Sequence, residues 1–415
     1  MSFYVTLHCR VNDTPLKSSL GSEHSILRRQ EKLQAEFAMS SRPPALRKFQ
    51  VGWICALAIE VAAAKEMLDV NFGILSKQDS LDTNAYILGR IGEHHIVIAS
   101  LPEGQYGTTS ATTVAVNMMR TFSGSIRIGL MVGTGGGIPS VSHDIPLGDV
   151  VVGCPDGTCG GIIQYDLGKA VAGGKYHQTG SLNSPPRSLL NAVIHMKATE
   201  YTDYLSYNGY VQKAIKRNSK TRQTFSRPDP RNDRLFEVDY EHPPNATTCD
   251  NCLPEEEKAR NTRREATPQV HYGIIASGNT VIKHGATRGA LYRETGALCF
   301  EMETAGLIMD FPCIVIRGIC DYADSHKNKN WQGYASLVAA AYPKELLSYI
   351  PVGQVSQEKV LRDVCSEIVH EIKDVNKSLE KAYLQHERHH NEQRRTALTK
   401  EQQECHQAFK TSTYE

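Results

Sequence analysis

Residues 49–57 form a short, almost wholly apolar run, and the chain then switches at once to helical spacing, with Glu60, Ala64, Met67 and Leu68 on that period. An unbroken apolar run of this length reads as a strand buried on both faces, because a half-solvated strand would alternate. The switch recurs. Residues 84–90 and 94–100 read as strands joined by a tight turn at Gly92-Glu93, 108–122 as a helix of small residues, and 126–132 as a buried strand ending in a glycine turn at 133–137. Further strands are expected at 149–153, 271–276 and 312–319, a helix opening over 299–309 and a closing helix at 331–347. Buried strands alternating with helices cover their apolar faces best in one large sheet flanked by helices, so the fold class is α/β, a sandwich.

The stretch 199–269 breaks this rhythm. It is rich in Asn, Pro, Arg, Glu and Asp, and reads as an insertion or lid within a core domain of residues 48–350. Structureless loops that long are uncommon in compact domains, which argues for a role. Residues 1–47 form an N-terminal extension without sustained periodicity, ending in the linker-like Ser40-Ser41-Arg42-Pro43-Pro44. Beyond Gly353, Leu361, Cys365, Ile368, Ile372, Val375, Leu379 and Ala382 step by four and three, a heptad seam that predicts a helical, coiled-coil-like tail over 354–415. The 46 basic residues balance 45 acidic ones at a net charge of +1, so no nucleic-acid partner is expected. No apolar run reaches the roughly 18 residues of a membrane span, and no apolar leader opens the chain. Eleven dispersed cysteines, several inside apolar runs, fit reduced thiols, and the expected location is cytoplasmic.

Acidic residues stand where buried strands end. Asp321 follows the apolar run 314–319, and Glu60 follows the first strand. In open α/β sheets, ligands bind beyond the carboxyl ends of strands. Glu301 and Glu303 are two apart at the expected helix start and do not share a helix face, so one can face the site while the other packs or pairs elsewhere. Two separated carboxylates with a substrate between them suit acid/base hydrolysis: one donates a proton, the other activates water. Taken singly, each is equally well read as a solvated acid at a strand end. The glycine stretches Gly133-Thr134-Gly135-Gly136-Gly137 and Gly104-Gln105-Tyr106-Gly107-Thr108 can bring backbone N–H groups close to a sugar or phosphate. Neither is followed by the Gly-Lys-Ser/Thr of a P-loop.

Six motifs in order carry a resemblance. They are Val51-Gly52-Trp53-Ile54-Cys55-Ala56-Leu57 with Glu60, Val132-Gly133-Thr134-Gly135-Gly136-Gly137, Leu147-Gly148-Asp149-Val150-Val151-Val152, Ser277-Gly278-Asn279-Thr280-Val281-Ile282, Phe300-Glu301-Met302-Glu303-Thr304-Ala305 and Val315-Ile316-Arg317-Gly318-Ile319-Cys320-Asp321. Over residues 49–350 the chain resembles the nucleoside phosphorylase and nucleosidase superfamily, which includes purine nucleoside phosphorylase, uridine phosphorylase and methylthioadenosine nucleosidase. The run 318–329 looks like the fungal branch, where such a domain often forms the N-terminal part of NOD-like, repeat-containing proteins. The resemblance implies a three-layer sandwich with a central mixed, partly barrel-like sheet; a C-terminal helix is expected after it. It implies that Asp321 protonates the purine N7, that Glu303 holds the ribose hydroxyls with Met302 packed on the sugar, and that Glu60 helps activate water. Asn279, Val281 and Ile282 match the segment that reads the base, Thr134, Gly135 and Glu301 fall in sugar- and base-binding motifs, and Arg317 matches the arginine near the acid.

Two departures matter. Cys320 stands where relatives commonly have Ser, and a thiol is a weak donor, so the orientation of Asp321 is left to other groups. Met131 stands where bacterial hexameric phosphorylases carry a phosphate-binding Arg. With Glu60 at the water position, this favours a purine nucleoside or nucleotide N-glycosidase over the alternative, a phosphate-dependent phosphorylase; a sensing or assembly module with an inactive site is the reading from another class. Lys283, Arg288, Lys327 and Thr108, with Arg293 and Lys329, are candidates for holding 5′-phosphates. Immune-type relatives are similar to enzymes that cleave ATP to adenine and ribose triphosphate, so ATP stands beside plain nucleosides as a substrate. No cofactor is expected: His242 and Cys249-x-x-Cys252 have metal-ligand character, but a zinc site needs four ligands and the sequence supplies one spaced pair. Relatives are commonly dimers or hexamers, which predicts a homo-oligomer.

Overall fold

In chain order the protein runs β1 (Val51–Cys55), α1 (Ala58–Met67), β2 (Val70–Ile74), β3 (Tyr86–Ile91), β4 (His94–Ser100), α2 (Thr108–Thr121), β5 (Ile128–Gly137), β6 (Val150–Gly153), β7 (Ile162–Gln164), β8 (Gly168–Val171), β9 (Lys175–Gln178), α3 (Arg187–Glu200), α4 (Tyr207–Lys216), α5 (Ser219–Phe225), β10 (Val270–Gly273), β11 (Ile275–Ser277), α6 (Gly285–Thr295), β12 (Cys299–Glu301), α7 (Thr304–Leu307), β13 (Cys313–Asp321), α8 (Gln332–Ser348) and α9 (Val352–Gln357). This computed structural model describes residues 43–358, apart from 172–174, 247, 261–262 and 264–266, together with scattered positions between 377 and 410. The heptad positions Leu361 to Ala382 and residues 1–42 lie outside the described residues.

Eleven strands form one mixed sheet, with the main path β10-β6-β13-β5-β1-β4-β3-β2. The centre is parallel, β13 and β1 flanking β5, and every residue of β1 and β13 is buried. Helices α1 and α8 pack together in one flanking layer and α2 and α7 in the other. The α/β sandwich, with a C-terminal helix (α9) after it, is therefore as the alternation predicts. The side branch comes from β5: its end pairs antiparallel with β12, which pairs with β11, which pairs with β7.

Three local expectations are corrected. Residues 133–137 are not a turn but the second half of β5, paired with β13 and β12. Crowding explains the glycines: a Cβ at Gly133 would stand 2.6 Å from Arg317 Nη1 and 2.7 Å from Glu60 Oε1. Residues 299–309 do not open as a helix; β12 comes first and α7 is one short turn. The run 271–276 divides into β10, which pairs with β6, and β11, which pairs with β12 and β7.

The stretch 199–269 holds α4 and α5. Tyr207, Val211 and Ala214 fall on one helical stripe and are buried, with Phe225, beneath polar neighbours. The helices α4 and α5 pack against α8. Further on, the same stretch reaches the cleft side of the sheet: Asp233 accepts a hydrogen bond from Tyr322 Oη, and His242 N–H donates to Ser325 Oγ at 2.9 Å.

Candidate active site

The carboxyl ends of β1, β5, β12 and β13 converge on a cleft of about 450 Å³, a volume in the range of small-molecule sites. Glu60, Thr134, Gly135, Val281, Ile282, Lys283, Glu301, Met302, Glu303, Arg317, Asp321 and Lys327 all line it. Asn279, Thr108 and Arg288 do not. Asn279 Oδ1 accepts from Thr108 N at 3.1 Å and from Thr108 Oγ1 at 3.0 Å, tying the start of α2 to the loop that carries Val281. Arg288 is buried behind the cleft, donating to Asp324 Oδ2 at 2.8 Å and to the Tyr322 carbonyl at 2.6 Å. It is thus committed to internal partners and not presented to a ligand.

Glu60 sits in the first turn of α1 and is buried. Its Oε2 accepts from Ala56 N and Leu57 N at 2.9 and 3.0 Å, and its Oε1 from Thr134 N and Thr134 Oγ1 at 2.7 and 3.1 Å. Three of those donors are backbone; the Thr134 hydroxyl is the one that can rotate away to make room for a water.

Arg317 is buried in β13 and donates to Glu301 Oε2, with Glu303 Oε2 at 3.4 Å. Glu301 also accepts from Glu303 N, Thr304 N and Thr304 Oγ1. The two acids therefore share one guanidinium, Glu301 at the end of a strand and Glu303 just before the helix that follows it. Burial pushes the Glu303 carboxyl up to about 7, against the pull of Arg317 and with help from Glu301 and Glu60. Three acids around a single arginine make this end of the cleft receptive to positive charge.

Asp321 ends β13, just after a bulge in its pairing with β5. Its Oδ1 accepts from Ala323 N at 3.0 Å, and its Oδ2 faces Lys327 Nζ at 2.7 Å and Cys320 Sγ at 3.2 Å. Burial and the Asp321 charge push the Cys320 thiol well up, so it acts as a neutral donor. Burial opposes the charge of Lys327, but Asp321 beside it holds the ammonium above the usual lysine range. The orienting groups that sequence left open are thus Lys327 and the Ala323 N–H. Ala323 has φ 54°, the left-handed region, and no other non-glycine among the described residues shares it. Such a conformation costs about 1–3 kcal/mol and is found at functional sites; here it aims an N–H at the carboxylate.

Sequence reasoning missed Tyr106 and Phe300, which also line the cleft. Both lay inside motifs already marked, Tyr106 between two glycines and Phe300 immediately before Glu301, and an aromatic beside a sugar motif was the available signal.

A nucleotide-binding leucine-rich repeat-like protein of Hyaloscypha variabilis is 45% identical to this chain over 311 residues, 74% of this chain and 30% of that protein. A 5′-methylthioadenosine/S-adenosylhomocysteine nucleosidase of Mycobacterium bovis is 30% identical over 90 residues, 20% of this chain and 35% of its own length. The chain thus spans only about a third of either curated relative. Among solved structures, futalosine hydrolase of Helicobacter pylori superposes with a TM-score of 0.46 at 17% identity, over 73% of this chain and 99% of that one. Among the described residues, no helix is long and apolar enough to cross a membrane. The model of the phosphorylase superfamily matches residues 50–342, and the chain belongs to that superfamily.

Proposed function

We propose that this chain is an N-glycosidase that hydrolyses the bond between a purine base and ribose in a nucleoside or nucleotide. The observation that carries the reading is the charge around Arg317. Glu60, Glu301 and Glu303 surround that one cation, and β5 brings no second one, since Met131 is buried in the core. An inorganic phosphate placed there would be repelled by carboxylates; a water and a cationic sugar would be held by them.

The chemistry follows from the placements. Asp321, a carboxylate at rest beside Lys327, takes up a proton from solvent when the base is bound and gives it to the ring nitrogen, and the C–N electron pair leaves with the base. The sugar becomes oxocarbenium-like, and the carboxylate of Glu303, beside the ribose, stabilises that charge and accepts from its hydroxyls. Water held by Glu60 and Thr134 adds to the sugar carbon and passes its proton to Glu60. Lys283 and Lys329 line the cleft, are exposed, and make no salt bridge among the described residues, so they are the cations available to 5′-phosphates. ATP, giving adenine and ribose triphosphate, is therefore a substrate to test beside nucleosides, and a homo-oligomer remains part of this proposal.

Purified protein should release free base from adenosine, inosine or ATP without phosphate, with ribose or its 5′-phosphates as the other product. Chromatography of both products checks this; base appearing only when phosphate is added, with ribose 1-phosphate, overturns it. The pH profile should carry the signature of Glu303. Only its carboxylate form stabilises the sugar cation, and its raised pKa is about 7. So kcat/KM should rise with pH to near 7 and level off, falling about tenfold per unit below it. Glu303→Gln should remove that limb along with most of the rate, and a wild-type profile flat down to about pH 5 would rule out this role.

A further inference from the structure

Outside the cleft, the stretch 199–269 gathers side chains with no part in the chemistry above. One imidazole nitrogen of His242 and the thiols of Cys249 and Cys252 lie within 4.8 Å of one another. We propose that these three, with His326 as the fourth ligand, hold a zinc ion that clamps the insertion onto the segment following Asp321. The inference does not depend on the hydrolase reading.

The two cysteines are free thiols bracketing a tight 3-10 turn, Cys249–Asn251. Arg234 holds that turn from outside: it donates to the carbonyls of both Cys249 and Cys252, and its Nε pairs with Glu257 at 2.6 Å. The thiols are therefore presented by a clamped backbone and not by a loose loop, as a metal site requires. His242 shows the other sign. Its Nδ1 stands 3.1 Å from the Pro243 carbonyl oxygen and its Nε2 3.1 Å from that of Thr248. A neutral imidazole has one N–H, so one ring nitrogen aims a lone pair at a carbonyl oxygen. A metal on that nitrogen would replace the repulsive contact with a bond.

The fourth position falls to His326, which lies outside the 4.8 Å group and reaches the ion by a shift of its ring. Its ring is buried, and its centre lies 5.3 Å from that of His242. Both of its ring nitrogens are buried without a hydrogen-bond partner among the described residues. Its Nδ1 faces Asp324 Oδ1 at 3.6 Å. Closing that gap would put the proton on Nδ1 and leave the Nε2 lone pair for a cation, the carboxylate–histidine–metal arrangement common at zinc. Two thiolates and two imidazoles select zinc over hard cations such as magnesium or calcium.

The position of the cluster gives the ion its effect. His326 lies five residues past Asp321 and next to Lys327, while the other three ligands belong to the insertion. His242 N–H already donates to Ser325 Oγ at 2.9 Å across that boundary. An ion bound by both segments would cross-link them and hold the Lys327–Asp321 pair in register.

The test is metal content of the full chain, produced without a histidine tag and measured by plasma mass spectrometry. Roughly one zinc per chain is expected, lost in Cys249→Ser/Cys252→Ser and in His242→Ala, and more easily chelated in His326→Ala. Cobalt exchanged into the wild type should show thiolate charge-transfer absorption and the visible bands of a tetrahedral ion. A chelator should lower the thermal midpoint of the wild type. If the cysteine variant does not fold, the wild-type zinc content and cobalt spectrum still decide. Wild-type protein with less than about 0.1 zinc per chain after dialysis against zinc salt, or a Cys249–Cys252 disulfide in its place, overturns the proposal, as does full zinc retention in a folded cysteine variant.

Discussion

Asp321→Asn should lower kcat for base release by roughly 10²–10⁴-fold, the usual worth of a positioned general acid. The substitution keeps size and the hydrogen bond from Ala323 N, 3.0 Å from Oδ1, but removes the carboxylate that takes up a proton and passes it to the base. The loss belongs in kcat with little change in KM, because the proton moves only as the C–N bond breaks. Stability should change by no more than about 1 kcal/mol, since the side chain of Lys327 is 32% exposed and can be solvated once its partner loses charge. Steady-state kinetics on each substrate and a thermal melt check both halves. Base release at the wild-type rate in a folded Asp321→Asn protein would remove Asp321 from the mechanism.

Arg317→Met should be the most destabilising single change in the cleft. The arginine is 1% exposed and is the counter-charge of two buried carboxylates. Removing one member of a buried ion pair costs about 3–5 kcal/mol because the partner's charge stays desolvated. That is a large share of the 5–15 kcal/mol that holds a typical domain together. The sign of the pH dependence follows. Without the guanidinium, Glu303 binds its proton more tightly in the folded chain than in the unfolded one. The penalty is then full at high pH and is relieved as pH falls through its raised folded value, which already stands at about 7 in the intact protein. Urea unfolding at about pH 5.5 and 8 should show the variant closer to wild type at the lower pH. Arg317→Met/Glu301→Gln should recover part of the loss. Equal destabilisation at both pH values would mean that lost packing, not stranded charge, is the cause.

Much of this was legible before any coordinates. The short apolar runs could only be strands buried on both faces, and their alternation with helices led to the sandwich. Position at strand ends marked Glu60 and Asp321, and both line the cleft. The errors share a cause. Residues 133–137 read as a turn because glycines in series usually are one; only the crowding by Arg317 and Glu60 shows why a strand needs them. Arg288 read as a free cation because a sequence does not show Asp324 waiting behind it at 2.8 Å. The stripe of Tyr207, Val211 and Ala214 passed unnoticed because Lys and Asn dilute it, although burial reveals it at once.

The division is physical. Periodicity and local chemistry are properties of neighbours along the chain, so the sequence alone determined most of the strands, the layers and the two acids at their ends. Charge pairing and ligand geometry depend on how the folded backbone aims side chains, even between residues only 2 to 16 positions apart. Only the tertiary structure could put Glu301 and Glu303 on one arginine, stand Lys327 and the Ala323 N–H against Asp321, and bring His242, Cys249 and Cys252 to within 4.8 Å. Burial then raises the stakes of each pairing, because a charge or lone pair removed from water must be met by whatever the fold places beside it.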